Sequence, residues 1–377
     1  MFNMNFQGQA QMTKKWVTLF ERYEEFHLQK DVGQIPYNAH KVLGYEVELW
    51  RKGKIDKIDK VSNFNLVDIK ANIKFFNIYF SILLYIIKHA KEIDVLSLFH
   101  FRKYTLIYAF FFKLFNRKSI VLIKCDSSDK IKPFNDTNLL KKAINIFLAK
   151  KVDYALVEHK FVYDFFVRNN IKAIYMPNGI SSDLKAAFSE FSTKKDTKLA
   201  TLIFIGRCGD PRKNAELAIK ALSELPENLG WRAFFVGGET DEFKLYYSGI
   251  LKSKPYLAAK IFFKGYITDI RVIAELYGHS HIFLMTSLQE GYPISLVEAC
   301  WKGCMPILSP KSGGDDLVGN SAGFIFMDET QLVSILYSSI SNIQNTINAG
   351  IICKNYVMQN NDWEKNLKNL ADIINHE

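Results

Sequence analysis

The stretch Glu290-Gly291-Tyr292-Pro293-Ile294-Ser295-Leu296-Val297-Glu298, preceded by the apolar run His281-Ile282-Phe283-Leu284-Met285, decides how this chain is read. A short continuous apolar run is what a strand buried on both faces requires. Thr286 to Pro293 then forms the turn at its carboxyl end. A helix starts near Ile294–Ser295, with Glu298 in its first turn or so. In an open parallel sheet, ligands bind outside the carboxyl ends of the strands. A helix N-terminus there offers unpaired N–H groups and a positive dipole end to an anion. Carboxylates on both sides of such an anion are costly unless both bind neutral hydroxyls. The fitting ligand is a phosphorylated sugar or nucleotide, with phosphate on the helix start and hydroxyls on Glu290 and Glu298. The plain alternative is a solvated loop glutamate followed by a helix-start glutamate that the dipole favours anyway.

Working outward, strand and helix alternate on both sides of this element. Upstream in the same half lie strands Ala200 to Ile205, Trp231 to Val236 and Ile261 to Phe263, with helices Asn214 to Leu225 and Asp269 to Tyr277. A helix over Ser295 to Lys302 and a strand over Met305 to Leu308 follow. The first half offers strands at Lys15 to Phe20, Glu46 to Trp50, Val95 to Phe99, Ile120 to Lys124, Tyr154 to Val157 and Ala173 to Tyr175. Asp31 to Pro36 reads as the loop after the first strand, and a helix over Tyr37 to Leu43 follows it. Met176-Pro177-Asn178-Gly179 is turn chemistry, and the polar Ser181 to Thr197 reads as a linker. Alternation of this kind predicts doubly wound parallel sheets, here an α/β chain of two Rossmann-like halves. No repeat of solenoid period is present.

A length of 377 residues suits two domains, and 48% hydrophobic with 23% charged residues places the chain among globular proteins. The net charge of +10 is spread as pairs such as Lys14-Lys15, Lys141-Lys142, Lys150-Lys151 and Lys194-Lys195. Nucleic-acid binding needs basic residues clustered in a stripe, so the charge fits anionic phosphate ligands and an anionic membrane surface better. The five cysteines, Cys125, Cys208, Cys300, Cys304 and Cys353, are an odd number without metal-ligand spacing and read as free thiols in a reducing compartment. No signal-peptide core opens the chain, and the expected location is the cytoplasm, peripheral at the inner face of the membrane. Phe75 to Ile87 is too short for the ~20 residues of a spanning helix and reads as a buried one. Tyr104 to Phe115, edged by Arg102-Lys103 and Arg117-Lys118, suits lipid contact and core packing equally.

The E-x7-E element closely resembles the signature of the retaining family 4 glycosyltransferases, among the glycosyl transferases group 1, whose GT-B fold sets two Rossmann-like domains across a cleft. Four further elements between Ile203 and Gly314 follow in the family's order. Gly206-Arg207-Cys208-Gly209-Asp210-Pro211-Arg212-Lys213-Asn214 resembles the element whose Arg and Lys grip the donor diphosphate. Arg207 and Lys213 would then neutralise the charge that builds on the leaving oxygen. Phe235-Val236-Gly237-Gly238 is a strand end that permits close backbone approach. Phe263-Lys264-Gly265-Tyr266-Ile267 resembles the nucleobase-lining segment, so Tyr266 stacks on a base or simply packs. Lys302 to Ile307 and Ser312-Gly313-Gly314 complete the set.

The resemblance implies that Glu298 holds the ribose hydroxyls and Glu290 touches the donor sugar. It also implies that backbone N–H groups after Gly291, around Tyr292, Pro293, Ile294 and Ser295, hold a phosphate. The first half matches less well. Only Gly33 stands where the family has a glycine-rich loop, and the strand that carries a catalytic His in many relatives ends here in Lys124-Cys125-Asp126. Lys124 or Asp126 takes that position, as in polysaccharide-assembly relatives, with His100 as the alternative. Asp126 and Asp129 do not form an Asp-x-Asp motif, so neither metal nor cofactor is expected.

Residues 1–185 are thus expected to bind the acceptor and 186–355 the nucleotide sugar, while a helix in 356–377 crosses back to the first domain. The implied activity is transfer of a sugar from a UDP- or GDP-sugar to a glycan or lipid-linked acceptor in bacterial surface-polysaccharide synthesis, with peripheral membrane contact and no nucleic acid. A sugar-nucleotide epimerase of the same fold and a non-catalytic carbohydrate or membrane-surface partner are the alternatives.

Overall fold

Buried apolar runs become parallel strands in both halves of this computed structural model, which describes residues 14–54, 56–61, 63–71, 74–75, 78–125, 138–191 and 195–376. The first half contains β1 (Lys15–Leu19), α1 (Asp31–Leu43), β2 (Glu46–Gly53), β3 (Lys57–Val61), β4 (Phe64–Lys70), β5 (Lys74–Phe75), β6 (Ile78–Tyr79), α2 (Phe80–His89), β7 (Val95–Phe99), α3 (Lys103–Phe115), β8 (Ile120–Cys125), α4 (Leu139–Ala149), β9 (Tyr154–Val157), α5 (Lys160–Arg168) and β10 (Ala173–Tyr175). The second opens with α6 (Ser182–Glu190) and β11 (Ala200–Ile205), then α7 (Ala215–Ser223), β12 (Trp231–Val236), α8 (Asp241–Ser253), β13 (Ile261–Phe263), α9 (Ile270–His279) and β14 (Ile282–Met285). It continues through α10 (Ile294–Trp301), β15 (Met305–Leu308), α11 (Asp315–Asn320), β16 (Phe324–Ile325), α12 (Glu329–Ser341) and α13 (Ile343–Asn360) to α14 (Trp363–Asn375).

The first sheet has eight strands in the order β10-β9-β8-β7-β1-β2-β4-β3, parallel except for β3, which returns antiparallel beside β4. The second has six, β13-β12-β11-β14-β15-β16, all parallel. In the second sheet the chain moves outward from β11 to β13, then jumps back to β14 on the other side of β11. This reversal leaves a crevice between the loops that follow β11 and β14, where ligands bind in doubly wound sheets.

Helix α14 returns to the first domain: Trp363, Leu367 and Leu370 sit in one core with Trp16, Val32, Ile35 and Tyr154. The chain crosses between domains twice, at Met176 to Ser181 and at Asn360 to Trp363, and the crossings touch. Ile180 N–H donates to the Asn361 carbonyl at 3.0 Å. A Cβ on Gly179 would lie 2.5 Å from the Trp363 nitrogen, so only glycine lets the two pass this closely.

Several expectations are corrected. Asp31 to Pro36 is not a loop but the start of α1, whose face of Val32, Ile35 and Ala39 is buried. That burial outweighs the ladder bond lost at Pro36. Gly33 is therefore helical, and a Cβ there would sit 2.4 Å from Leu28 Cα. The glycine serves close packing against the 3₁₀ turn at Glu25–Gln29 and forms no phosphate loop. Residues 182–190, read as linker, form α6: the Ser181 hydroxyl accepts from Leu184 N–H at 3.3 Å, and Leu184, Ala187 and Phe188 are buried. The apolar segment from Phe75 is divided between the β5–β6 hairpin and α2.

Candidate active site

The crevice is built from three loops, each tied to the next through its backbone. After β11 the chain runs from Gly206 to Asn214, and Leu288 N–H, in the loop after β14, donates to the Arg212 carbonyl at 2.8 Å. The Thr286 hydroxyl donates to the Asn214 carbonyl at 2.7 Å. On the other side, Glu290 N–H donates to the Lys311 carbonyl at 3.0 Å, and the Ser309 hydroxyl donates to the Ser287 carbonyl. Gly313 closes the ring with φ +74°, and a Cβ there would fall 1.5 Å from the Gly291 carbonyl oxygen. No side chain larger than hydrogen fits that contact.

These ties bring Lys213 and Glu290, 77 residues apart, to a 2.6 Å ion pair that solvent still reaches. A pair this accessible adds little to stability and can open to take phosphate on one side and hydroxyl on the other. Arg207, in the same loop as Lys213, is exposed, and its guanidinium makes no hydrogen bond or ion pair among the described residues. The neighbouring Arg212 is spoken for: it pairs with Asp210 at 2.8 Å and holds that carboxyl down at about 2. Helix α10 begins at Ile294 behind Pro293, and no side chain caps it. The first N–H groups, including that of Ser295, can thus receive an anion after the loop that follows β14.

Glu298, one turn into α10, accepts from the Tyr277 hydroxyl at 2.9 Å. Burial pushes its carboxyl up to about 7, against the opposing pull of that hydrogen bond. Such a group is poised to accept from a diol or, once protonated, to donate. Tyr266 stands clear of the surface at 82% exposure, just past Gly265 at the end of β13. Its ring packs on nothing that would compete with a base.

Other positions have different surroundings. Tyr292, expected beside a phosphate, is buried: its hydroxyl accepts from Asn361 Nδ2 at 3.0 Å and its carbonyl accepts from Asn178 Nδ2, also at 3.0 Å. The Asn361 amide also donates to the Asn178 carbonyl at 2.7 Å. One cluster thus joins the loop after β14 to both interdomain crossings, and Tyr292 holds that loop from behind. Lys124 is fully buried, 3.2 Å from the Glu158 carboxylate and donating to the Met176 carbonyl at 2.7 Å. Its ammonium faces the interior, not a ligand. His100 directly follows β7 in the left-handed region, φ 65°, with its ring edge-on to Phe20. A non-glycine residue held there stores strain of the kind that collects at functional sites. Asp126 lies outside the described residues.

One residue escaped sequence reading. His159, at the start of α5, reaches from the first domain to the second. Its ring lies 5.7 Å from that of Tyr292, and Nδ1 is 3.9 Å from Asp316. Burial lowers its pKa, opposed by Asp316 and by a hydrogen bond with the Gly291 backbone. Lys160 N–H donates to Asp316 at 2.7 Å, so α5 is capped by a carboxylate from the opposite domain. The available signal was Glu158-His159 directly after a buried strand. Among the described residues no three His, Cys, Asp or Glu side chains gather closely enough to hold a metal ion.

Residues 186–342 match the family described as Glycosyl transferases group 1. Over these residues the chain is similar to the group 1 glycosyltransferases. The match takes in every loop of the crevice and leaves the first domain outside it. No curated protein matches the chain in sequence. Among solved structures, sucrose-phosphate synthase from Thermosynechococcus elongatus is 14% identical with a TM-score of 0.69, covering 96% of this chain and 98% of its own. HepE from Anabaena, solved with UDP and glucose, is 14% identical at 0.66, covering 97% and 100%. WaaG, a glycosyltransferase involved in lipopolysaccharide biosynthesis, is 16% identical at 0.63, covering 95% and 99%. At such identities the likeness is one of fold, and the fold of the two domains together is GT-B.

Proposed function

We propose that the protein is a retaining, metal-independent hexosyltransferase. It takes the sugar of a UDP- or GDP-sugar on the second domain and passes it to a glycan or lipid-linked acceptor on the first. The observation that carries this reading is the accessible Lys213–Glu290 pair at the switch point of the second sheet, with the exposed Arg207 in the same loop as Lys213. A nucleoside diphosphate entering there meets two cations and an uncapped helix start, and its sugar meets the carboxylate that Lys213 releases. Leaving-group charge is then met by fixed donors with no reorganisation at the moment of reaction. Glu298 and Tyr266 hold the nucleoside. The departing phosphate takes the acceptor proton on the face it leaves, which gives retention without a pair of catalytic carboxylates. UDP and glucose bound to HepE support the donor class. A place in surface-polysaccharide synthesis at the cytoplasmic face of a membrane rests on the acceptor class.

Nucleotide release from a panel of UDP-, GDP-, ADP- and CMP-sugars, with Glu290→Ala alongside and mass analysis of the remaining donor, tests the reading. Release of one nucleotide by the wild type, lost in the variant, is expected. Isomerised donor without release, or no turnover of any donor, would sink it.

A further inference from the structure

The first domain carries an apolar face that its fold leaves uncovered. Along α4, Leu140, Ile144 and Phe147 recur at helical spacing with Lys151 next in the row. Leu140 is 71% and Phe147 55% exposed, while the opposite face, Asn145, Leu148 and Ala149, is buried. Beside it, Leu114 and Phe115 at the end of α3 are about half exposed. A groove of about 590 Å³ runs between the two helices, lined by Phe110, Leu114, Arg117, Phe147, Lys150 and Lys151. Its floor is aromatic, with Phe110 and Phe147 rings 6.0 Å apart, and its rim is cationic. Lys113 is neutralised by Asp153 at 2.6 Å. Arg117, Lys118 and Lys150 make no ion pair among the described residues, and Lys151 only leans over Phe147 at 5.5 Å.

We infer that this α3–α4 face docks on an anionic lipid bilayer. Large apolar side chains flanked by uncompensated cations are the chemistry of an interfacial helix, whose apolar face enters the acyl boundary while its lysines meet phosphate. A second copy of this chain is a poor occupant, because it would bring the same cations and the same excess charge of +10. The orientation has a consequence for the cleft. Because α4 ends just before β9 begins, its C-terminus lies at the amino edge of the sheet and its N-terminus at the carboxyl edge, where the cleft opens. A bilayer lying along its ~16 Å length holds the cleft mouth beside the lipid headgroups. The face is argued from its own side chains and stands apart from the donor site.

Flotation of the full chain with vesicles of phosphatidylcholine alone, and of phosphatidylcholine mixed with phosphatidylglycerol, is the test. Binding to the mixed vesicles alone is expected, weakened steeply at about 0.5 M salt. Leu140→Ser with Phe147→Ser should weaken it about tenfold or more. Lys150→Glu should weaken it several times more than Lys252→Glu, a charge-matched change on α8 of the other domain. Absence of binding to anionic vesicles overturns the inference. So does equal loss in the two lysine variants, or indifference to the apolar pair, which would point to a charge-only surface for an acidic protein. Donor turnover read in parallel separates the two proposals. Vesicle binding without turnover leaves the docking face and removes the transferase. Turnover without vesicle binding does the reverse.

Discussion

Lys124 lies within β8 near its carboxyl end and Lys213 lies in the loop between β11 and α7, and the two lysines are used in opposite ways. In the first domain Lys124 is sealed beneath Trp363, 5.8 Å from its ring and paired with a fully buried Glu158. In the second, Lys213 and Glu290 stay within reach of solvent, and the Arg207 guanidinium in the same loop as Lys213 has no partner among the described residues. The same sheet geometry therefore yields an architectural charge in one half and an exchangeable one in the other. What separates them is the returning helix: α14 roofs the first domain near the interdomain crossings, whereas the loops of the second stand open around a crevice.

The contrast can be broken most forcefully in the first domain. Glu158→Ala leaves a buried ammonium without its counter-ion and should cost about 3–5 kcal/mol, whereas Lys124→Met with Glu158→Leu should recover most of that. Urea unfolding would read both, and an undisturbed single variant would mean that Lys124 is not an architectural charge. In the second domain, Lys213→Ala or Arg207→Ala should lower turnover by about 10²–10³ while shifting stability by only about 0.5 kcal/mol, as at other exposed sites. Donor turnover beside thermal melting checks it; wild-type turnover in both variants would refute the diphosphate assignment.

A smaller effect is expected where the halves meet. Tyr292→Phe removes the hydroxyl that accepts from Asn361 and should cost about 1 kcal/mol. If Tyr292 positions the donor loop, nucleotide affinity measured by calorimetry should fall as well; unchanged affinity would make it a core residue only.

The smallest signal is in pH. Glu298 titrates near 7 in the fold, above its ordinary 4.5, so between those values the folded state holds the extra proton. Stability should therefore fall as pH rises through that window and stay lower above it. Glu298→Gln should flatten this slope in melts taken between pH 5 and 8, and an unchanged slope would assign it to another group.

Legibility followed the same division. Strands such as Val95–Phe99, Ala200–Ile205 and Ile282–Met285 were readable because a strand buried on both faces must be a nearly continuous apolar run. The crevice loops were readable as loops because their signals are local: Gly206 to Asn214 and Glu290 to Glu298 each carry glycine, charge and helix start within a few residues. The start of α1 was not, because Gly33 and Pro36 signal a loop and only packing against Leu28 and α14 makes them helical. Helix α6 was missed for a related reason, since its three apolar residues matter only once α9 lies against them.

By itself the sequence determined two doubly wound sheets and the glycine-bearing loops that edge the crevice of the second, since buried runs and short loops are properties of neighbouring residues. Tertiary structure alone decided which charges are free. Whether Lys124 meets Glu158 or Lys213 meets Glu290, and whether Tyr292 faces a ligand or Asn361, depends on segments 34 to 77 residues apart. Desolvation and ion pairing act through space, and no local pattern records what will come to cover a side chain.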